Sequence, residues 1–226
     1  MIWAVVPLLN VIAFCRVPIA TLNENGEQIP VRKLFTIKMF WVFVLLMLCA
    51  GASEQAMSQW ASFFAESGLR VSKTMGDLLG PCAFALLMGI SRAFYGKSGE
   101  KIHLEHFILY SALLCIASYL IAVFSPFPLL SLVGCALCGL SVGIMWPGSF
   151  SIAAKECPQG GIAMFAFLAL AGDAGCMSGP ETVSIVSGLV PEHGLKSGLL
   201  AAIIFPIGMA LVILVRLVKQ RKQKIS

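Results

Sequence analysis

Four carboxylates and one stripe of amides and hydroxyls are the residues of this chain whose chemistry demands a special setting. Glu54, Asp77, Asp173 and Glu181 lie inside long apolar stretches or close to their edges. An ionised carboxylate in hydrocarbon costs about 2.5–3.5 kcal/mol on insertion scales, so each needs a partner, a proton or a watery cavity. With Arg92 assigned to a loop and Arg216 to a tail, no Lys or Arg is left within the apolar stretches to pair with them. The acids are then expected to be protonated for part of a cycle, to face water, or to pair with another polypeptide. Asp173 stands about midway along Gly161–Leu189, in Gly172-Asp173-Ala174-Gly175, where missing side chains open space beside it. Proton coupling and structural hydrogen bonding are both open to it. Asp77 sits about one turn inside its stretch, near enough to the surface to be hydrated, and Glu181 follows Pro180 toward an interface. Asp173, Glu54 and Asp77 are the candidate proton-coupling residues.

The stripe comprises Ser53, Glu54, Gln55, Ser58, Gln59 and Trp60. Gln55, Ser58, Gln59 and Ser62 recur at helical spacing and share a face. Amides and hydroxyls there suit a hydrogen-bonding solute, and Trp60 offers a flat surface to a sugar ring or another planar group. An interhelical polar seam would use the same residues. Glu54, Gln55, Ser58, Gln59, Trp60 and Trp146 are the candidate solute contacts. Enzymatic chemistry finds no support: no Ser-His, His-Glu-His or paired-Asp pattern occurs in the apolar stretches. Cys135 and Cys138 form a C-x-x-C without a second ligand pair nearby, and read as small packing residues. His103 and His106 share a helical face at a stretch end and read as solvated. No cofactor or metal is implied.

The elements that carry these residues are transmembrane helices. From Phe107 to Ala154 the chain has no charged side chain. As one helix this would measure about 72 Å, against a hydrocarbon core of roughly 30 Å. Ser125-Pro126-Phe127-Pro128 halves it, because prolines remove donors and do not sit in a helix interior without cost. Further spans are expected at Phe35–Glu66, Lys73–Phe94, Gly161–Leu189 and Leu195–Val218, giving six. The runs are continuous rather than alternating, which favours helices over a barrel. The composition agrees: 58% hydrophobic and 12% charged, where soluble proteins carry about 25% charged residues. The fold class is therefore an all-α polytopic membrane protein. Several spans are rich in Gly and Pro. Gly139 and Gly143 make a G-x-x-x-G; such spacing suits static helix packing as well as a moving part, and Gly179-Pro180 near mid-membrane favours an interrupted helix of the kind that lines transport sites.

Residues 1–15 are apolar but too short for a crossing, and read as the end of a truncated transmembrane helix. Residues 16–34 read as a central cytoplasmic linker, 35–218 as the six-helix bundle and 219–226 as a basic cytoplasmic tail. Of 16 Lys and Arg, only Arg70, Lys73 and Lys196 fall outside when the linker is placed in the cytoplasm. The positive-inside bias thus puts the carboxy terminus there too. Net charge +5 is a topology signal, and the tail suits lipid headgroups rather than nucleic acid.

Gly89-Ile90-Ser91-Arg92-Ala93-Phe94-Tyr95-Gly96-Lys97-Ser98-Gly99-Glu100-Lys101 is expected to be a short, mixed-charge hairpin. It resembles the loop signature of the major facilitator superfamily between helices eight and nine. Gly89, Arg92, Gly96, Gly99, Glu100 and Lys101 match, with Glu100 where the family commonly has Asp. Gly51–Glu66 and Ala171–Glu181 also resemble the carboxy-terminal half of bacterial facilitators related to fucose permease. The resemblance covers about Phe35 to the end, with Met1–Cys15 similar to the end of helix six. It implies two six-helix halves around a central site, alternating access and often proton coupling. It also implies that Arg92, Glu100 and Lys101 form an inner gating cluster. Expected partners are a small polar solute, protons, the lipid bilayer, and a missing amino-terminal half or a second copy. The expected function is a transporter, or half of one, in the cell membrane, working by symport of the solute with protons. The alternative is a non-transporting six-helix subunit that needs a partner half.

Overall fold

The computed structural model describes residues 5–17, 29–68, 70, 72–99, 102–192 and 194–225. Apart from short turns, these residues are helical, and six helices are long and apolar enough to cross a membrane. After α1 (Val5–Arg16) they are α2 (Lys38–Glu66), α3 (Lys73–Ser98), α4 (Leu104–Phe124), α5 (Pro128–Glu156), α6 (Pro158–Leu189) and α7 (Leu195–Lys222). They run alternately up and down. One end of the bundle gathers Lys38, Lys97, Lys155, Lys219 and Lys222 and is called the basic end below.

The helix breaks follow local chemistry. Between α4 and α5 the Ser125 hydroxyl accepts from the Phe127 N–H at 3.2 Å and donates to the Phe127 carbonyl at 3.1 Å. Pro128 then opens α5, where its missing N–H costs nothing. At the basic end the Ile29 N–H donates to the Gln159 carbonyl at 3.1 Å, tying the segment before α2 to the α5–α6 turn. α1 has no buried residue, so packing assigns it no place in the core. Most of the expected linker lies outside the described residues.

Two expectations about helix breaks are corrected. The hairpin expected from Gly89 does not begin there, because α3 stays helical to Ser98. Gly89 and Gly96 face open space, so nothing wedges the helix apart, and no proline follows them before His103. Nor does Gly179-Pro180 interrupt α6, which is continuous from Gly161 to Leu189. That stretch is braced by close packing. A methyl group on Gly175 would fall on the Leu48 carbonyl oxygen, and one on Gly179 on the Ala52 carbonyl oxygen. Gly51 meets the Gly172 carbonyl from the other side. The α2–α6 seam is thus backbone against backbone, the approach that small residues permit. A break does lie in α5, at Gly143-Ile144.

α2 is the hub, packing on α5, α6 and α7, while α5 also packs on α3 and α4. The Gly139–Gly143 motif faces α3: a methyl on Gly139 would strike the Phe84 carbonyl. In the core, the fully buried Tyr119 of α4 donates its hydroxyl to the Ser53 carbonyl of α2 at 2.9 Å.

Candidate functional site

The α5 break creates an acceptor and thereby positions a cation. A residue at 147 would ordinarily donate its N–H to the carbonyl four residues earlier, but Pro147 has none to give. The Gly143 carbonyl thus lacks its helical donor, and Arg92 of α3 supplies one from Nε at 3.3 Å. With Nε fixed, Nη2 of Arg92 reaches Oε2 of Glu54 on α2 at 3.6 Å. This corrects the expectation that the spans hold no basic partner for the acids. Arg92 lies about 9 Å inside α3 from Ser98 and, though 47% exposed, turns its guanidinium to Glu54 and the Gly143 carbonyl.

The pair forms one wall of a cavity of about 540 Å³, lined by Glu54, Gln55, Arg92, Tyr95, Trp146, Phe150, Asp173 and their neighbours. Glu54 is about 24 Å along α2 from Lys38, and Asp173 about 18 Å along α6 from Gly161, so both sit near mid-span. The cavity is aromatic on one side. Trp146 and Phe150 meet tilted, with 6.1 Å between ring centroids, and Phe150 continues to Phe165 at 5.8 Å. Tyr95 closes the wall toward the basic end, donating to the Ser151 hydroxyl at 3.1 Å. Two buried polar atoms of the wall have no hydrogen-bond partner: Glu54 Oε2 and the Trp146 indole nitrogen.

Of the residues singled out from the sequence, Glu54, Gln55, Trp146 and Asp173 share this cavity, and Arg92 joins them. Gln59 and Trp60 line an adjoining cavity of about 790 Å³, with Glu181, Ser178 and Ser184. Cys176 lines both and marks their junction. Trp60 is tied by its indole N–H to the Pro180 carbonyl at 3.2 Å, and Gln59 donates to Gln55 at 3.3 Å. Ser58 is half-buried and lines neither cavity. Asp77 is exposed and accepts from the Ser62 hydroxyl, apart from the other acids. Glu100 and Lys101 lie outside the described residues.

Sequence reasoning missed a second charged cluster, at the basic end. Arg216 of α7, only 7% exposed, pairs with Glu105 of α4 at 2.8 Å and with Glu156 of α5. Its guanidinium also lies 5.6 Å from the Phe43 ring centre and touches the Met39 sulfur, both on α2. Four helix ends meet at this one side chain. A signal was present: Arg216 has Leu214-Val215 before it and Leu217-Val218 after it, the setting of a residue inside a span rather than in a solvated tail. Among the described residues no group of His, Cys, Asp or Glu is arranged to hold a metal ion. Cys138 and Cys115 lie 3.9 Å apart, sulfur to sulfur, in the packed interior.

None of the curated proteins and none of the solved structures compared with the chain matches it. The family model of the Major Facilitator Superfamily matches residues 1–180, which takes in every cavity-lining residue of α2, α3 and α5 and, on α6, Asp173 and Cys176. On that match, and with six helices long and apolar enough to cross a membrane, this multi-pass membrane protein belongs to the major facilitator superfamily of transporters.

Proposed function

We propose that the chain is the six-helix, carboxy-terminal half of a secondary transporter that moves a small polar solute by alternating access, coupled to protons, and that the Glu54–Arg92–Asp173 cavity is its solute site. The observation that carries this is the mid-span cavity itself. Its wall holds a carboxylate, Asp173, with no ion-pair partner among the described residues, and a second, Glu54, whose cation stands off at 3.6 Å. A pair at that separation is not hydrogen-bonded, so a proton or a solute competes for Glu54 without first breaking a tight contact. Asp173 is then the proton-coupling residue, with Glu54 exchanging between Arg92 and solute. Asp77, held by Ser62 near the far end, serves as an entry carboxylate.

The same reasoning calls for a companion. Gln59, Asp173 and Glu181 are exposed on the six-helix unit, and carboxylates facing lipid are costly. A second six-helix unit, either an amino-terminal half or another copy, covers this face in the working transporter. The positive-inside bias places the basic end and the carboxy terminus in the cytoplasm of a cell with this protein in its plasma membrane.

The test is solute-driven proton movement in liposomes containing the protein, with a pH-sensitive dye inside and a panel of sugars, amino acids and amines outside. A solute that alkalinises or acidifies the lumen in wild type and not in Asp173→Asn, with assembly intact, is the expected result. Absence of flux for the whole panel, with no solute altering the thermal unfolding of the protein, would return the chain to the role of a non-transporting subunit.

A further inference from the structure

The charge of the cavity walls differs in sign from the charge of the chain. The whole sequence carries +5. Yet the two adjoining cavities are lined by three carboxylates, Glu54, Asp173 and Glu181, and by a single cation, Arg92. That cation is already engaged by Glu54 and the Gly143 carbonyl. Among the described residues Asp173 and Glu181 have no ion pair. They follow one another along α6, about 12 Å apart along its axis. Part of the neutral polar lining is committed: Gln59 donates to Gln55, and the Trp60 N–H to the Pro180 carbonyl. The charge left without a counter-ion is negative, beside a wall of Trp146, Tyr95 and Phe150.

Taking that cavity to be the solute site, we infer that its solute is an organic cation, an amine or quaternary ammonium with an apolar body, rather than a sugar. Asp173 receives the cationic head. Trp146 and Phe150 flank the body, where aromatic faces attract a weakly hydrated cation more than a fully hydrated inorganic one. Glu181, nearer the far end, draws the cation toward the junction at Cys176. A cavity of about 540 Å³ falls within the range of sites for drug-sized molecules, roughly 300–1,000 Å³. An anionic solute would meet two unpaired carboxylates, and a neutral one would leave them unpaired.

The test compares three probes with one ring and nearly one length: phenethylamine, 2-phenylethanol and 3-phenylpropionate, with glucose as a fourth. Binding to the full chain in lipid nanodiscs is measured by titration calorimetry. Phenethylamine is expected to bind at least about tenfold more tightly than the other three, from charge pairing together with the cation–aromatic contact. Asp173→Asn should remove that preference and Asp173→Glu should keep most of it, both unfolding at the wild-type temperature. Trp146→Ala should weaken phenethylamine. If the alcohol, the carboxylate or glucose binds as tightly and in a Trp146-dependent way, the cation assignment is wrong while the cavity stands as the site. If no probe binds in a manner sensitive to Trp146 or Asp173, the cation assignment and the site both fall.

Discussion

Arg216→Met removes the one cation that four helix ends share, and its cost can be worked from the geometry. Two carboxylates lose their partner. Glu105 is 15% exposed and Glu156 27% exposed, so Glu105 is nearly out of reach of water and Glu156 partly hydrated. Breaking a buried ion pair by deleting one member costs about 3–5 kcal/mol, because the remaining charge is stranded. The hydration of Glu156 and the nearness of the bundle end argue for the bottom of that range, about 3 kcal/mol. Methionine fills much of the volume and keeps the contact with Phe43 and Met39, so the loss reports charge rather than a hole. For a chain of this size, about 3 kcal/mol corresponds to a fall in unfolding midpoint of roughly 6–12 °C. Cys49, Cys115, Cys135 and Cys138 are buried and unpaired, so a thiol-reactive fluorophore reads unfolding directly in detergent. The triple variant Arg216→Met, Glu105→Gln, Glu156→Gln should recover most of the loss, since an apolar or neutral substitute for a buried ionic cluster is often close to neutral overall. An unchanged midpoint in Arg216→Met, or a triple variant less stable than the single one, would refute the assignment of this cluster as a buried ionic clamp.

Other outcomes follow from the same structure. Gly175→Val should cost about 3 kcal/mol or more, the upper end of overpacking, because its side chain meets the Leu48 carbonyl; Gly96→Ala, facing open space, should instead gain about 0.5–1 kcal/mol. Thermal unfolding of the pair checks both. Pro147→Ala returns an N–H to the Gly143 carbonyl and competes with Arg92, so the unfolding midpoint should hold or rise while solute flux falls severalfold; undiminished flux would show that the break is not needed. Tyr119→Phe should lose about 1 kcal/mol with the hydrogen bond to Ser53, measured in the same unfolding assay. In a cysteine-free version, a cysteine at 98 should resist an external membrane-impermeant reagent that labels one at 70; the reverse order inverts the orientation.

The helices were legible because their signal is long. A charge-free run from Phe107 to Ala154 leaves a hydrophobic chain few options, and Pro126 and Pro128 place its turn where the hydroxyl of Ser125 closes it. Azimuth and depth were not legible. Arg92 looked like a loop residue because Gly89 and Gly96 flank it, yet both glycines fit a helix and the span runs on to Ser98. Which of two proline sites breaks its helix also escapes a one-dimensional reading. Around Pro180, Gly175 and Gly179 pack on the α2 backbone, whereas the carbonyl opposite Pro147 finds Arg92 instead, and both answers depend on a neighbouring helix. The polar stripe of α2 was read as one face, but Trp60 and Gln59 fall in one cavity and Glu54 and Gln55 in the next. Helical spacing groups residues by angle and says nothing of what divides them along the axis.

The glycine seam between α2 and α6 has a mechanical meaning. Side-chain interfaces slide because rotamers can be exchanged on either side; an interface made of carbonyls set against Cα atoms has no such play. Gly51, Gly172, Gly175 and Gly179 therefore weld two helices into a single plank that carries Glu54 on one edge and Asp173 on the other. In the alternation of access proposed above, these two carboxylates would travel together at a fixed separation. The bending must be taken up in softer places: the unwound turn of α5 at Gly143-Ile144, and the wide helical turns at Phe64–Gly68 and Leu78–Cys82.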